Sequence, residues 1–415
     1  MKHRTSQFVF LAILATLLVS HGQNRTIAQT DKSASPLSDE AFVKGMEASQ
    51  DLDFAEARRQ FEDIKRRFPD HPAGPYYLAS TLWFQTLTRP GLLLPLLFKL
   101  LGSETFSGDN PEKVDAQTVQ QFRDLIRQAS VLAEAQLKRD PRNVEALYFL
   151  GAAHGLSAAF KGTIENGLVG AMRDGSTAED KEREVIRLDP NFHDAELTIG
   201  LHDYTVGSLP LPIKIAAAIA NVRGSKKRGL ATLERVAREG RLERNIARLM
   251  LVVLYLREKQ YEPAIGQAQE LSHAYPRNYL FKLLEADATL KQAIVLRQTN
   301  PSAAASSERA AFDICDSLST KEANRLAPGR PLELIHFVYG EILLAAGKAE
   351  TAATQFLLAA AVGRAEQAIV TIAHLRSAQA LDLAGKRREA LAEYKIVLER
   401  PNVYESHAKA ERGLR

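Results

Sequence analysis

The segment GEILLAAGKAETAATQFLLAAA, residues 340–361, contains the spacing that decides the fold of this chain. Gly340 and Gly347 are followed by Ala352, Phe356 and Ala359. Two antiparallel helices approach closely only where one side chain is small, and an aromatic ring fills the gap one turn away. The spacing therefore predicts a pair of packed helices.

The same spacing recurs along the chain. Residues 38–71 place Gly45, Ala57, Phe61 and Pro69 at the corresponding positions. The stretches LKRDPRNVEALYFLG, ending at Gly151, and IRLDPNFHDAELTIG, ending at Gly200, each set a proline ten residues before the glycine. Segments 245–278 and 371–404 are weaker copies, and the polar residues 405–415 are expected to cap the open end. Several copies in one register indicate a repeat array.

These spacings resemble the tetratricopeptide-repeat family, of an exported bacterial type, over about residues 38–404. The resemblance implies an all-α fold, a right-handed α-solenoid of about eight tetratricopeptide-like helix pairs with a concave binding groove. It also implies a protein without enzymatic activity or cofactor. The expected domains are a signal peptide at 1–28, a linker at 29–37 and the solenoid at 38–415.

Units two to four are stretched by inserts near 86–128, 155–175 and 206–224. Their apolar parts include RPGLLLPLLFKLLG, residues 89–102, and VGSLPLPIKIAAAIANVRG, residues 206–224. One interpretation is that lengthened helices pack on one another. The other is a surface that faces a membrane or holds lipid, because long apolar inserts on a solenoid need cover.

A basic cluster, Arg223 with Lys226, Lys227 and Arg228, follows the third insert. It is typical of a solvated helix start, and the alternative is contact with anionic lipid headgroups. The stretches GLHDYTVGSLPLPIK and RGSKKRGLATLERVA are also similar to a eukaryotic tetratricopeptide family tied to lipid-droplet and inclusion-body handling.

In the family, one stripe of residues on the first helix of each repeat lines the groove. At the corresponding positions of this sequence, the resemblance implies six aromatic contact residues: Phe42, Tyr76, Trp83, Tyr148, Tyr204 and Phe337. The charges on the stripe are all acidic, so an apolar or basic peptide is the expected partner. Where units are stretched, the alternative is that this stripe belongs to the core.

No P-loop, dinucleotide-binding glycine motif, HExxH, GxSxG or EF-hand loop occurs, so no catalytic, cofactor-binding or metal-binding residue is expected. His154 and Asp203 occupy the same repeat position in successive units, which predicts a buried polar contact or a functional pair. The single cysteine, Cys315, lies on a predicted second helix and is expected to be buried rather than reactive.

The first residues have the pattern of an export signal. Lys2 and Arg4 precede the apolar run FVFLAILATLLV, which is too short to span about 30 Å of hydrocarbon. Cleavage after Ala28 would remove Lys2, Arg4 and Arg25 from 54 cations, leaving 51 against 50 acids. A periplasmic or secreted protein is therefore expected, with an uncleaved membrane anchor as the alternative, and this near-neutral chain is not expected to bind nucleic acid.

Two functions are consistent with this sequence. The first is an exported, non-enzymatic scaffold that binds a protein or peptide in its concave groove. The second is a membrane- or lipid-associated carrier or assembly factor that uses the inserts 89–102 and 206–224.

Overall fold

The computed structural model describes residues 35–100, 105–107, 110–165, 167–219, 223–320 and 330–415. These residues form 19 α-helices and no strand, which confirms the all-α prediction. The helices are α1 (Glu40–Gln50), α2 (Phe54–Arg67), α3 (Ala73–Leu87), α4 (Pro90–Leu100), α5 (Ala116–Arg139), α6 (Val144–Thr163), α7 (Leu168–Leu188), α8 (Glu196–Gly207), α9 (Leu211–Ile219), α10 (Lys226–Glu239), α11 (Arg244–Arg257), α12 (Tyr261–Ala274), α13 (Tyr279–Leu296), α14 (Pro301–Ser319), α15 (Leu332–Ala345), α16 (Ala349–Ala360), α17 (Gln367–Leu383), α18 (Arg387–Leu398) and α19 (Ser406–Leu414). The expected signal peptide, 1–28, and most of the expected linker lie outside the described residues.

The chain divides into two compact units. Of the described residues, unit 1 comprises those within 35–87 and 114–254, and unit 2 comprises those within 88–113 and 255–415. In unit 1, helices pack as the pairs α1–α2, α3–α5, α6–α7 and α8–α10. In unit 2, the pairs are α13–α14, α15–α16 and α17–α18, and α19 packs on the last pair.

Local capping explains where many of these helices begin and end. The side chains of Asp53, Asn143 and Asn300 each accept a hydrogen bond from a backbone N–H of the first turn. Gly347 and Gly385 have φ angles of +84° and +75°, a left-handed conformation that ends α15 and α17 without the strain of a side chain. The short turns after these glycines return the chain along the preceding helix.

The glycines of the repeat register lie where the paired helices touch. A β-carbon on Gly45 would approach the Phe61 ring to 2.7 Å, and one on Gly340 would approach the Phe356 ring to 2.7 Å. At Gly151 the nearest atom would be a carboxylate oxygen of Glu182, at 2.7 Å. The contact between a small residue and a large neighbour is therefore present where the sequence predicted it.

The three inserts have different structures. Residues 155–175 form the end of α6 and the start of α7, which agrees with lengthened helices. Residues 89–102 include α4, which packs on α15 and α17 within unit 2. Residues 206–224 include α9, whose Leu211 side chain is 70% exposed.

Candidate interaction surfaces

The six aromatic residues expected in the groove are all buried, with exposed fractions of 0–4%. Trp83 donates its indole N–H to Thr163 Oγ1 at 3.0 Å. The Phe42 ring packs edge-on against Tyr77 at 4.9 Å, and the Tyr76 ring packs against Phe149 at 5.6 Å. Five of these side chains contribute to the packing of unit 1, so a partner cannot reach them in this conformation. Their role as contact residues stays a prediction.

Phe337, the sixth of these residues, is covered by the chain's own insert. Its ring lies 5.8 Å from Phe98 and 5.6 Å from Phe106, and it also contacts Phe356. Tyr404 holds the same segment, because its hydroxyl donates to Asn110 Oδ1 at 2.6 Å. The described parts of segment 88–113 therefore cover Phe337, where the groove of unit 2 was expected.

A buried cluster of carboxyl groups lies in unit 1. The Tyr148 hydroxyl donates to Glu243 Oε1 at 2.6 Å, and burial raises the pKa of Glu243 to about 8. Asp194 accepts the backbone N–H groups of residues 241–243 at 2.7–2.8 Å, while burial raises its pKa. Glu182 has no hydrogen-bond partner at Oε2, and burial also raises its pKa. Burial thus shifts all three carboxyl groups toward their protonated forms, and at pH 7 it favours the protonated form of Glu243.

Five of the six acidic residues on the predicted groove stripe already have a donor in the chain. Asp194 binds the three backbone amides described above. The other acid–donor pairs are Asp39–Arg67, Asp287–Lys291, Glu341–Arg376 and Asp382–Arg387, whereas Glu145 Oε1 has no hydrogen-bond partner among the described residues. Because these carboxylates are compensated, they give little attraction for a basic partner.

The predicted contact between His154 and Asp203 is wrong. Asp203 forms a bidentate ion pair with Arg228, and none of the hydrogen bonds described joins it to His154. His154 is partly buried, which lowers its pKa. The basic cluster therefore supplies the partner of Asp203, an interaction that the register alone did not reveal. Cys315 is fully buried, as expected.

An open cavity of about 390 Å³ lies in unit 2. Its walls come from α15, α17, α19 and one residue of the insert, and its lining consists of Thr105, Glu341, Leu375, Arg376, Gln379, Lys409 and Arg412. Arg376 is fixed by Glu341, to which it donates two bonds at 2.5 and 2.6 Å, and by Gln379 at 2.7 Å. Lys409 donates to the carbonyls of Thr105 and Tyr404. Three cationic side chains and one carboxylate thus surround the cavity.

The sequence reasoning missed this cavity. Residues 405–415 were expected only to cap the array, yet α19 contributes Lys409 and Arg412. The cation-rich sequence AKAERGLR at the end of the chain is the one available signal.

Apolar side chains are exposed along α9. The exposed fractions are 70% for Leu211, 38% for Ile213 and 54% for Ile215. In contrast, Leu94 and Phe98 of α4 are 0% and 7% exposed. Among the described apolar side chains of these two inserts, Leu211, Ile213 and Ile215 are therefore more exposed than Leu94 and Phe98.

Two further properties concern the described residues alone. Their His, Cys, Asp and Glu side chains nowhere form a group of three that could hold a metal ion. A search of the same residues found no helix with the length and apolarity needed to cross a membrane.

No protein-family model matches this chain, and no curated protein matches it. The structure is similar to the human IFIT1 dimer with m7Gppp-AAAA, at 12% identity and a TM-score of 0.44, over 100% of this chain and 85% of the other. It is also similar to TTC0263, a tetratricopeptide protein of Thermus thermophilus, at 16% identity and a TM-score of 0.34, over 59% and 95%. Yeast Tom70 matches at 12% identity and a TM-score of 0.31, over 92% and 89%. Tetratricopeptide proteins are thus among the structures that this helical array resembles.

Proposed function

We propose that this chain is a non-enzymatic repeat scaffold that binds an acidic segment of a protein partner at the cavity of unit 2. The observation that carries the proposal is the cavity itself, which is open, has a volume of about 390 Å³ and is lined by Arg376, Lys409 and Arg412. Export, as expected from the first residues, is part of the proposal.

The preference for an acidic partner follows from the arrangement of the charged side chains that line the cavity. Glu341 is already bound by the guanidinium of Arg376, which fixes both groups in place. Arg412 is exposed on α19 and reaches the same cavity. A guanidinium presents paired N–H donors that match the geometry of a carboxylate. The cavity therefore favours glutamate or aspartate side chains, in place of the basic segment expected from the groove stripe.

Fluorescence anisotropy with two labelled peptides tests this proposal. One peptide carries repeated glutamates and leucines, and the other carries lysines in place of the glutamates. We expect saturable binding of the acidic peptide alone. The Arg412→Glu variant should weaken this binding about tenfold, because a favourable charge becomes a repulsive one.

Arg415→Glu is the matched control, since it reverses an exposed charge outside the cavity lining. Equal losses in Arg412→Glu and Arg415→Glu would show that only net charge matters, which contradicts a specific site. Preferential binding of the lysine peptide would contradict the proposal that the cavity binds an acidic segment. It would favour the alternative, a basic segment bound at the acidic groove stripe.

A further inference from the structure

Helix α9 is an apolar helix that makes few contacts with the other helices described. Its sequence LPIKIAAAI contains one charged residue, Lys214, and its contacts with the neighbouring α8 are sparse. Leu211 and Ile215 lie four residues apart on one face of the helix and are both exposed, while the exposed Ile213 lies on another side. A contiguous apolar surface of this kind marks an interaction site.

The chain within and after α9 is rich in cationic residues, one of which, Arg228, is paired with Asp203. From Tyr204 to Leu233 the chain contains five cationic residues, Lys214, Arg223, Lys226, Lys227 and Arg228, and no aspartate or glutamate. Arg223 and Lys227 are exposed. Lys214 lies on α9 itself and donates to the carbonyl of Gly207. An apolar helix next to basic side chains complements a surface that is apolar inside and anionic at its boundary.

A second exposed apolar pair lies at the corresponding connection of the preceding repeat. Val169 and Met172, at the start of α7, are 83% and 63% exposed. They follow the connection between the two helices of the α6–α7 pair, and α9 lies in the corresponding connection of the α8–α10 pair. Insertions at equivalent connections of successive repeats project from one edge of the array.

We propose that α9 docks unit 1 on the surface of an anionic phospholipid membrane. Leu211 and Ile215 enter the boundary between headgroups and acyl chains, and Arg223 and Lys227 lie at the phosphates. Helix α9 has nine residues and lies along the surface rather than across it. The insert 89–102 takes no part, because its described side chains pack within unit 2.

A fluorescent probe at position 215 tests this docking directly. In the full chain, Ile215→Cys introduces an exposed thiol, whereas Cys315 is fully buried, so an environment-sensitive dye labels position 215 selectively. Vesicles of phosphatidylcholine containing phosphatidylglycerol should shift the emission to the blue and increase it severalfold. Removing either Arg223 or Lys227 by alanine substitution should weaken vesicle binding about fivefold, the effect of one charge near an anionic surface.

The control is the same dye at Leu383→Cys, an apolar position of unit 2 that is 72% exposed, against 54% for Ile215. A local readout is needed because the apolar run at residues 8–19 can itself bind vesicles. An unchanged emission at position 215, or an equal change at position 383, would overturn the proposal. A change that depends on protein concentration without vesicles would instead identify a second copy of the chain as the occupant, and would also overturn it.

Discussion

At the residue scale, Glu243 shows most directly how burial and charge compete in this protein. The carboxyl group is 5% exposed and lies near Asp194, so ionisation adds a charge to a poorly solvated and already acidic site. The hydrogen bond from Tyr148 stabilises the ionised form but does not offset burial. Burial therefore raises the pKa of Glu243 from 4.5 to about 8.

We predict that Glu243 makes unit 1 less stable as the pH rises. Between pH 4.5 and about 8, the folded state holds a proton on Glu243 that the unfolded state has lost. Stability then falls by up to about 1.4 kcal/mol for each pH unit in this interval. The Glu243→Gln variant keeps an acceptor for Tyr148 without the titration. Its melting temperature relative to the wild type should therefore rise from pH 5 to pH 8, and a difference independent of pH would contradict the prediction.

At the element scale, α4 and α9 show the limit of the sequence analysis. Both are short apolar helices inserted between the two helices of a repeat, and their compositions gave no means of separating them. The difference lies in their distant neighbours. Phe98 meets Phe337, far away in the chain, while α9 has no such aromatic partner among the described contacts. Periodicity predicts that a helix is apolar, but not which remote surface covers it.

We predict that Phe106→Ala destabilises unit 2 by about 3–5 kcal/mol, the usual cost of removing a buried phenylalanine side chain. Its ring contacts Phe98, Phe337 and Tyr404 at 5.1–5.6 Å and is 8% exposed. Leu383→Ala in the same unit is the control, because its side chain is 72% exposed and should change stability by less than about 0.5 kcal/mol. Equal effects in urea unfolding would mean that segment 88–113 is not part of the core.

At the scale of the whole molecule, the repeat register and the accessibility of the repeats differ in how well they could be predicted. Close contacts at Gly45 and Gly340 follow from local spacing, and the structure has them. The exposed groove could not be predicted in the same way. A long insert brings Phe98 and Phe106 into contact with Phe337 and buries it. The spacing of small and aromatic residues recurs in each repeat and can be recognised from the sequence. Whether a repeat surface is buried depends on inserts that occur only once in the chain, and these have no such pattern.

The two compact units lead to a prediction about cooperativity, since long repeat arrays need not unfold in one transition. The single tryptophan, Trp83, is buried in unit 1, and the single cysteine, Cys315, is buried in unit 2. Burial raises the pKa of the Cys315 thiol, so it should react with a disulfide reagent only after unit 2 opens.

In urea, Phe106→Ala should shift the Cys315 reaction to lower urea concentration and leave the Trp83 fluorescence transition in place. At pH 8, Glu243→Gln should shift the Trp83 fluorescence transition to higher urea concentration and leave the Cys315 reaction unchanged. Joint movement of both probes in both variants would show a single cooperative structure instead.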